Sequence, residues 1–504
     1  MAHTLDQAGS GQLRKNSLGA RDIVFFVMAA AAPLTVMVAV APIALLIGGV
    51  GAAAGYLAAG LVCIVFSYGY TRMAKHVHNN GAFYSYVRHG LGKPAGVAAA
   101  LVALLSYTGL ILSTFGVFGG ATADTMSTMF GIDAPWWVWG LIGAAIVAVL
   151  GYQSIDLGAK VLAVLLVAEV AVLAVLCAAV LFQGGADGLS LEPFAPSNVF
   201  NGNMGAVLAV AFAAFCGFEA TAIYRSEARD PDRTVPRATY VAVTFMALFY
   251  GFVLWVIVMA FGVVDTVPTV AANPVAPFFT AMDTYVGGFA TDVMRLLLIT
   301  SGLAALLAFH NAINRYGYAL GREVVLPRVL AKVHDRHGSP YAASMIQTVI
   351  CVVAVIGFGI GGAQPLTQLA AWTAGIGVIG IVSLLSLTSL AAAVFFLRPG
   401  RDRNPVTAAV SLVAMVLLIG CLALVLLHLD IATLTTNKVV NTTIVALPVL
   451  TFVAGLVYAA ILRSARPELY AALGTTDADE PVREEKTFTE PSAPATPFAG
   501  PAAV

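Results

Sequence analysis

Charge is what this chain has least of: 10% of its 504 residues are Asp, Glu, Lys or Arg, and the 26 basic residues balance the 26 acidic ones. A water-soluble core of this length requires far more polar surface, so a soluble enzyme or binding domain is excluded. The basic residues are dispersed rather than gathered in a patch, which leaves no footprint for nucleic acid. Cysteine is equally sparse. Cys63, Cys177, Cys216, Cys351 and Cys421 each fall in an apolar run and none is near another in sequence, so neither a disulfide framework nor a zinc motif is readable. Paired histidines, a His-Glu-x-x-His helix and a Gly-x-Ser-x-Gly nucleophile are all missing from the apolar runs, which argues against a membrane-embedded enzyme. No metal site and no cofactor is expected.

What fills the chain instead is hydrophobic sequence, 60% of residues with a mean hydropathy of +0.89. Crossing roughly 30 Å of hydrocarbon takes about 20 apolar residues as helix. Runs of that kind recur at 22–48, 52–73, 95–128, 137–155, 159–182, 203–225, 237–263, 289–320, 341–360, 367–397, 405–428 and 442–463. This predicts an all-α integral membrane protein of twelve transmembrane helices. Its parts are a polar segment over 1–20 without a cleavable apolar region, a helical body over 21–464 and a proline-rich, acidic tail over 465–504 with the composition of disorder. Alternate connections carry nearly all of the basic residues, leaving only Arg295 and Lys438 on the opposite side. By the positive-inside rule both termini are cytoplasmic, in a multi-pass protein of the cell membrane.

Two spans are interrupted. In the first, DIVFFVMAAAAPLTVMVAVAPIALLIGG, Pro33 removes a backbone donor and disfavours helix at Ala32. In the sixth, AAFCGFE places Gly217 among small residues at similar depth. Each residue alone is ordinary in a membrane helix. Together, five spans apart and hence in helices of opposite direction, they predict two inverted five-helix units whose broken helices mark a binding site, the signature of a transporter. Unwound backbone in hydrocarbon is tolerated only when buried in protein or lining a wet cavity.

Two carboxylates, Glu169 and Glu219, lie well inside apolar spans, where they are costly, rather than at their ends. Glu219 follows the break in the sixth span; hydrogen-bonding support and gating or proton handling both fit it. Glu169 is the one charge inside VLLVAEVAVLAVL of the fifth span. It fits either reversible protonation, which is the sharper expectation, or a neutral acid donating one helix–helix hydrogen bond. Beyond the sixth span the charges alternate through Arg225, Glu227, Arg229, Asp230, Asp232, Arg233 and Arg237. Ion pairs from this segment to Arg315 or Arg322 would make an inner gate; a solvated loop is the blander alternative. His310, the lone histidine of the eighth span, is expected to satisfy a local hydrogen bond.

Three segments carry a family resemblance: GFEATAIYRSEARDPDRTVPRA from Gly217, NNGAFYSYVRHGLGKPAG from Asn79, and NAINRYGYALGREVVLPRVLAKVHDRHGSPYAA from Asn311. The chain resembles the amino acid, polyamine and organocation permeases, over roughly residues 20 to 400 with the motifs in order. The resemblance implies a five-plus-five inverted fold of the LeuT type with helices 1 and 6 broken. It also implies secondary active transport of an amino acid or related amine by alternating access. Coupling to protons is the expected mode, with sodium coupling or plain exchange as alternatives; a solute sensor or channel on the same fold is the rival from another class. Substrate, direction and oligomeric state stay open.

A zwitterion then has a place at each break. Free N–H groups after Ala32 and Pro33, at Leu34, Thr35 and Val36, suit its carboxylate, with Thr35 as a cap. Carbonyls of Ala213, Ala214 and Phe215, leading to Cys216 and Gly217, suit its ammonium, and the Phe215 ring offers a π face. Ser106 and Tyr107 align with the family's side-chain pocket. Ala213 stands where arginine-exchanging relatives carry tryptophan. Some relatives have lysine at the position of Glu169, so their coupling chemistry does not transfer unchanged.

Overall fold

The computed structural model describes residues 18–77, 81–152, 155–273, 276–334, 338–400 and 402–474. Among these residues the secondary structure is helical, with one isolated bridge between Leu18 and Ala228. In chain order the helices are α1 (Ala20–Ala31), α2 (Pro33–Thr35), α3 (Ala41–Gly48), α4 (Ala52–Ala74), α5 (Ala82–Leu91), α6 (Lys93–Phe130), α7 (Trp136–Tyr152) and α8 (Ile155–Gln183). Then come α9 (Pro196–Val199), α10 (Met204–Ala213), α11 (Pro231–Phe261), α12 (Thr266–Ala272), α13 (Pro277–Tyr285), α14 (Gly288–Arg322) and α15 (Tyr341–Ile360). The chain continues through α16 (Ala371–Leu397), α17 (Pro405–Leu427), α18 (Leu429–Ala432), α19 (Lys438–Ala465) and α20 (Pro467–Ala472). Among the described residues, ten helical stretches are long and apolar enough to cross a membrane, the first of them the 55-residue run Ala20–Ala74. The chain is a multi-pass membrane protein.

Burial sorts these stretches by position. The α10 stretch, Met204–Glu227, is the most enclosed, whereas α15, α17 and α19 leave most of their surface outside the bundle. A membrane-exposed helix can stay apolar on its outer face, so Val349, Val416 and Val439 are large, exposed and unremarkable there. Small residues permit close crossings: a Cβ on Gly109 would lie 2.7 Å from the Thr373 carbonyl, and one on Gly377 would lie 2.7 Å from Leu110. α6 and α16 therefore meet almost backbone to backbone, the packing that small residues permit where lipid gives no hydrophobic drive. The five cysteines are buried and unpaired, as small core residues.

The segment expected to be disordered from residue 465 begins with folded structure. Lys93 Nζ donates to the Tyr470 and Ala471 carbonyls at the end of α20, at 2.9 and 2.7 Å. Leu473 is buried, and the Gly474 N–H donates to Glu323 just past α14. A cation at the last carbonyls of a helix opposes its dipole and explains why so short a helix holds. Residues 475–504 lie outside the described residues, as do 1–17 of the N-terminal segment.

Candidate functional site

The first break forms because Pro33 cannot continue α1. Ala32 turns left-handed at φ 43° and ψ 72°, and its N–H closes α1 on Met28 and Ala29. A left-handed alanine is strained by about 1–3 kcal/mol, so surrounding packing must hold it. Tyr250 of α11 helps, its hydroxyl donating to the Ala31 carbonyl at 3.4 Å. Pro33 then starts a helical segment that runs through a π turn at Val36–Val40 into α3. Leu34 and Thr35 occupy its first turn, where N–H groups lack intrahelical acceptors.

The second break lies against the first. α10 ends at Ala213, residues 214–217 turn, and Gly217 takes φ 113°, open to glycine but rarely to other residues. A Cβ on Gly217 would sit 3.4 Å from Cβ of Ala30, so the two interruptions touch. Phe218–Glu227 continues as 3₁₀ turns, a run far longer than the usual three or four residues and one that often marks a hinge.

Glu219 seals this second break. Its carboxylate accepts the Gly217 N–H at 2.9 Å and the Tyr107 hydroxyl of α6 at 3.0 Å, while its own carbonyl accepts the Tyr70 hydroxyl of α4. It is fully buried, and both carboxylate oxygens are engaged. Of its two expected roles, hydrogen-bonding support is the one this geometry displays.

The remaining predicted residues divide. Thr35 Oγ1 and Ser301 Oγ of α14 are 2.9 Å apart. The Ala213 carbonyl accepts the Cys216 N–H at 3.3 Å and the Phe215 carbonyl the Phe218 N–H at 3.5 Å, so each keeps a second lone pair. The Phe215 ring packs edge-on against Tyr250 with centroids 6.0 Å apart, and beside Gly60 and Ala247. Ser106 donates to the Val102 carbonyl at 2.7 Å and rests against Gly380 of α16, which makes it a packing residue in this conformation. Val36 and Cys216 are buried, and the Val36 N–H, expected to be free for a carboxylate, instead donates to the Ala32 carbonyl at 2.9 Å.

Glu169, on α8, faces the first break. It is fully buried, and the Ser301 hydroxyl and the Leu34 N–H lie beside its carboxylate. Neither oxygen completes a hydrogen bond among the described residues. An unpartnered buried carboxylate is costly, so the site is not explained by stability. Sequence reasoning had not singled out Ser301, Tyr250 or Tyr70. Their signal was faint: each is a hydroxyl-bearing residue in an apolar helix, and each partner is remote in sequence.

At one end of the bundle the chain closes. Arg315 of α14 meets Glu227 at 2.6 and 3.4 Å, both side chains nearly inaccessible, and also reaches the Asn311 carbonyl. The guanidinium lies 5.4 Å from the ring of Tyr224, which stacks on Phe26 of α1. Leu18 bridges this exit, donating to the Glu227 carbonyl and accepting the Arg229 N–H. The expected pair to Arg315 is therefore present, and buried rather than superficial. Arg225 pairs with Asp232 at 2.6 Å, and His310 shares a 2.8 Å hydrogen bond with Ser344. No cluster of three or more potential metal ligands occurs among the described residues.

The family profile described as amino acid permease matches residues 20–455, which spans both breaks, Glu169 and the Arg315–Glu227 pair. The chain belongs to that family. This permease is 25% identical over 353 residues to an uncharacterized transporter of Mycobacterium tuberculosis, covering 69% of this chain and 75% of the relative. A chloroplastic cationic amino acid transporter of Arabidopsis thaliana is 25% identical over 317 residues, 57% of the permease and 51% of the relative. An L-asparagine permease of Salmonella typhimurium is 23% identical over 322 residues, 58% and 60% of the two chains. The permease is accordingly a transporter and not an enzyme.

Proposed function

We propose that this permease moves an amino acid or related amine across the cell membrane by alternating access, coupled to protons through Glu169. The observation that carries the reading is the contact between the breaks, with Ala32 left-handed in one helix and Gly217 in the other, and Gly217 against Ala30. Broken helices meeting inside a bundle present N–H groups and carbonyls side by side. The Leu34 and Thr35 end receives the substrate carboxylate, and the carbonyls of Ala213–Phe215 receive its ammonium.

Twelve crossings follow if Ala20–Ala74 counts as two and the 17-residue Trp136–Tyr152 as one more. Two inverted five-helix units of the LeuT kind then place α1 and α10 at corresponding positions, and both termini in the cytoplasm. On this topology Arg315–Glu227 and the Leu18 bridge form the cytoplasmic gate, closed here. The relatives named for asparagine and cationic amino acids support an amino acid as substrate.

Counterflow in proteoliposomes tests this reading. Unlabelled amino acid inside should accelerate entry of the labelled compound, with saturation. Entry indifferent to the internal pool would indicate a channel, and binding without entry a sensor.

A further inference from the structure

Glu169 projects into the first break, where the substrate carboxylate is also placed. Pro33 to Gly48 runs as one helical segment, and Leu34 N–H at its start lies beside Glu169. The carboxylate is 0% exposed and unpartnered among the described residues. Thr35, through its 2.9 Å contact with Ser301, fixes the second polar group that flanks it.

α1, α2, α7, α11, α13 and α14 all pack against α8. From α11 the facing titratable group is Tyr250, whose hydroxyl is turned to the Ala31 carbonyl. α2 and α14 contribute the Leu34 N–H and the Ser301 hydroxyl, and no charged side chain of the described residues from any of these helices faces Glu169. An ionised Glu169 therefore has no counter-ion, only the pole that a bound amino acid also needs. Two carboxylates at one buried place cannot both stay ionised.

We propose that Glu169 and the substrate carboxylate compete for this pole: a substrate bearing the carboxylate binds only when Glu169 is protonated, and an amine lacking it binds without the proton. Protonation removes the repulsion, and the acid O–H can then donate to the incoming carboxylate. The inference rests on the substrate reading above and adds to it the reason why proton and amino acid travel together. By linkage, one proton taken up per substrate weakens binding about tenfold per pH unit once Glu169 is ionised in the free protein.

The test measures dissociation constants of the purified full chain between pH 5.5 and 8.5. The probes are L-arginine with agmatine, L-lysine with cadaverine, and L-asparagine with 3-aminopropanamide, each pair differing by the α-carboxylate. For the amino acids, affinity should fall toward tenfold per pH unit in the upper range. For the amines it should not fall in this way. Glu169→Gln, a near-isosteric neutral side chain, should bind the amino acids at the wild-type low-pH affinity across the range. A flat profile for wild-type amino acid binding, the same slope in Glu169→Gln, or the same slope for the amines overturns the competition. Binding of no member of the panel overturns the substrate reading instead.

Discussion

Glu219 accepts the N–H of Gly217, two residues before it, at 2.9 Å, so the sixth span closes its break with its own side chain. Tyr107 holds the other oxygen at 3.0 Å. Glu219→Ala strips both donors of their acceptor, at about 1–3 kcal/mol for each buried group left unpaired. Glu219→Gln keeps one acceptor oxygen and should lose less stability. Thermal unfolding of the two variants separates them; equal losses would remove the sealing role.

Gly217→Ala tests the backbone itself. Ala30 lies 3.4 Å from the added methyl, an ordinary contact, so the penalty is the φ of 113° and not crowding. The strain is about 1–3 kcal/mol. The expected outcome is a lower unfolding temperature and loss of ligand-induced thermal stabilisation. Ala32→Gly, at φ 43°, should instead be tolerated to within about 1 kcal/mol, because glycine adopts that conformation freely.

The Arg315–Glu227 pair makes an asymmetric prediction. Removing one partner leaves the other charge buried and unpaired, which costs about 3–5 kcal/mol. Arg315→Ala should therefore destabilise the closed end, read as faster hydrogen exchange over Phe218–Glu227. The double variant Arg315→Met with Glu227→Leu should recover much of the stability while altering transport rate. Unchanged exchange in Arg315→Ala would mean the pair does not hold this end shut.

These residues differ in how visible they were from sequence. Pro33 and Gly217 change what the backbone can do, so each announces a break without its neighbours. Glu169 is conspicuous as a charge in an apolar run. Ser301 and Tyr250 gave no such signal, since a tyrosine ring can serve as plain core packing and a serine hydroxyl in a membrane helix can bond its own preceding turn. Ser106 does this, which is why its family alignment did not translate into a free pocket group. Phe215 could be placed near the break from sequence, but the facing of its ring depends on Tyr250 and Gly60, far away in the chain. The α20 fold needed Lys93, which lies 377 residues before Tyr470. Composition alone marked that stretch as tail.

Glu323, which the docked segment touches through Gly474, makes stability depend on pH. Burial raises the Glu323 carboxyl above its ordinary value of 4.5, opposed by the Gly474 N–H, Arg88, Tyr84 and Arg322. A carboxyl raised in the folded state adds stability that is fully present below its unfolded value and is lost as pH rises through the folded one. The folded protein should thus lose thermal stability as pH rises above about 4.5, an effect opposed by the Gly474 N–H, which favours the ionised carboxylate. Glu323→Gln should flatten the profile; an unchanged profile would place its cause elsewhere.

Proton-driven accumulation in proteoliposomes is the most direct test of Glu169 as the coupling residue. With an inward proton gradient the wild-type permease should concentrate labelled amino acid above equilibrium, and Glu169→Gln should only equilibrate it while retaining counterflow. Full gradient-driven accumulation by Glu169→Gln would contradict the account.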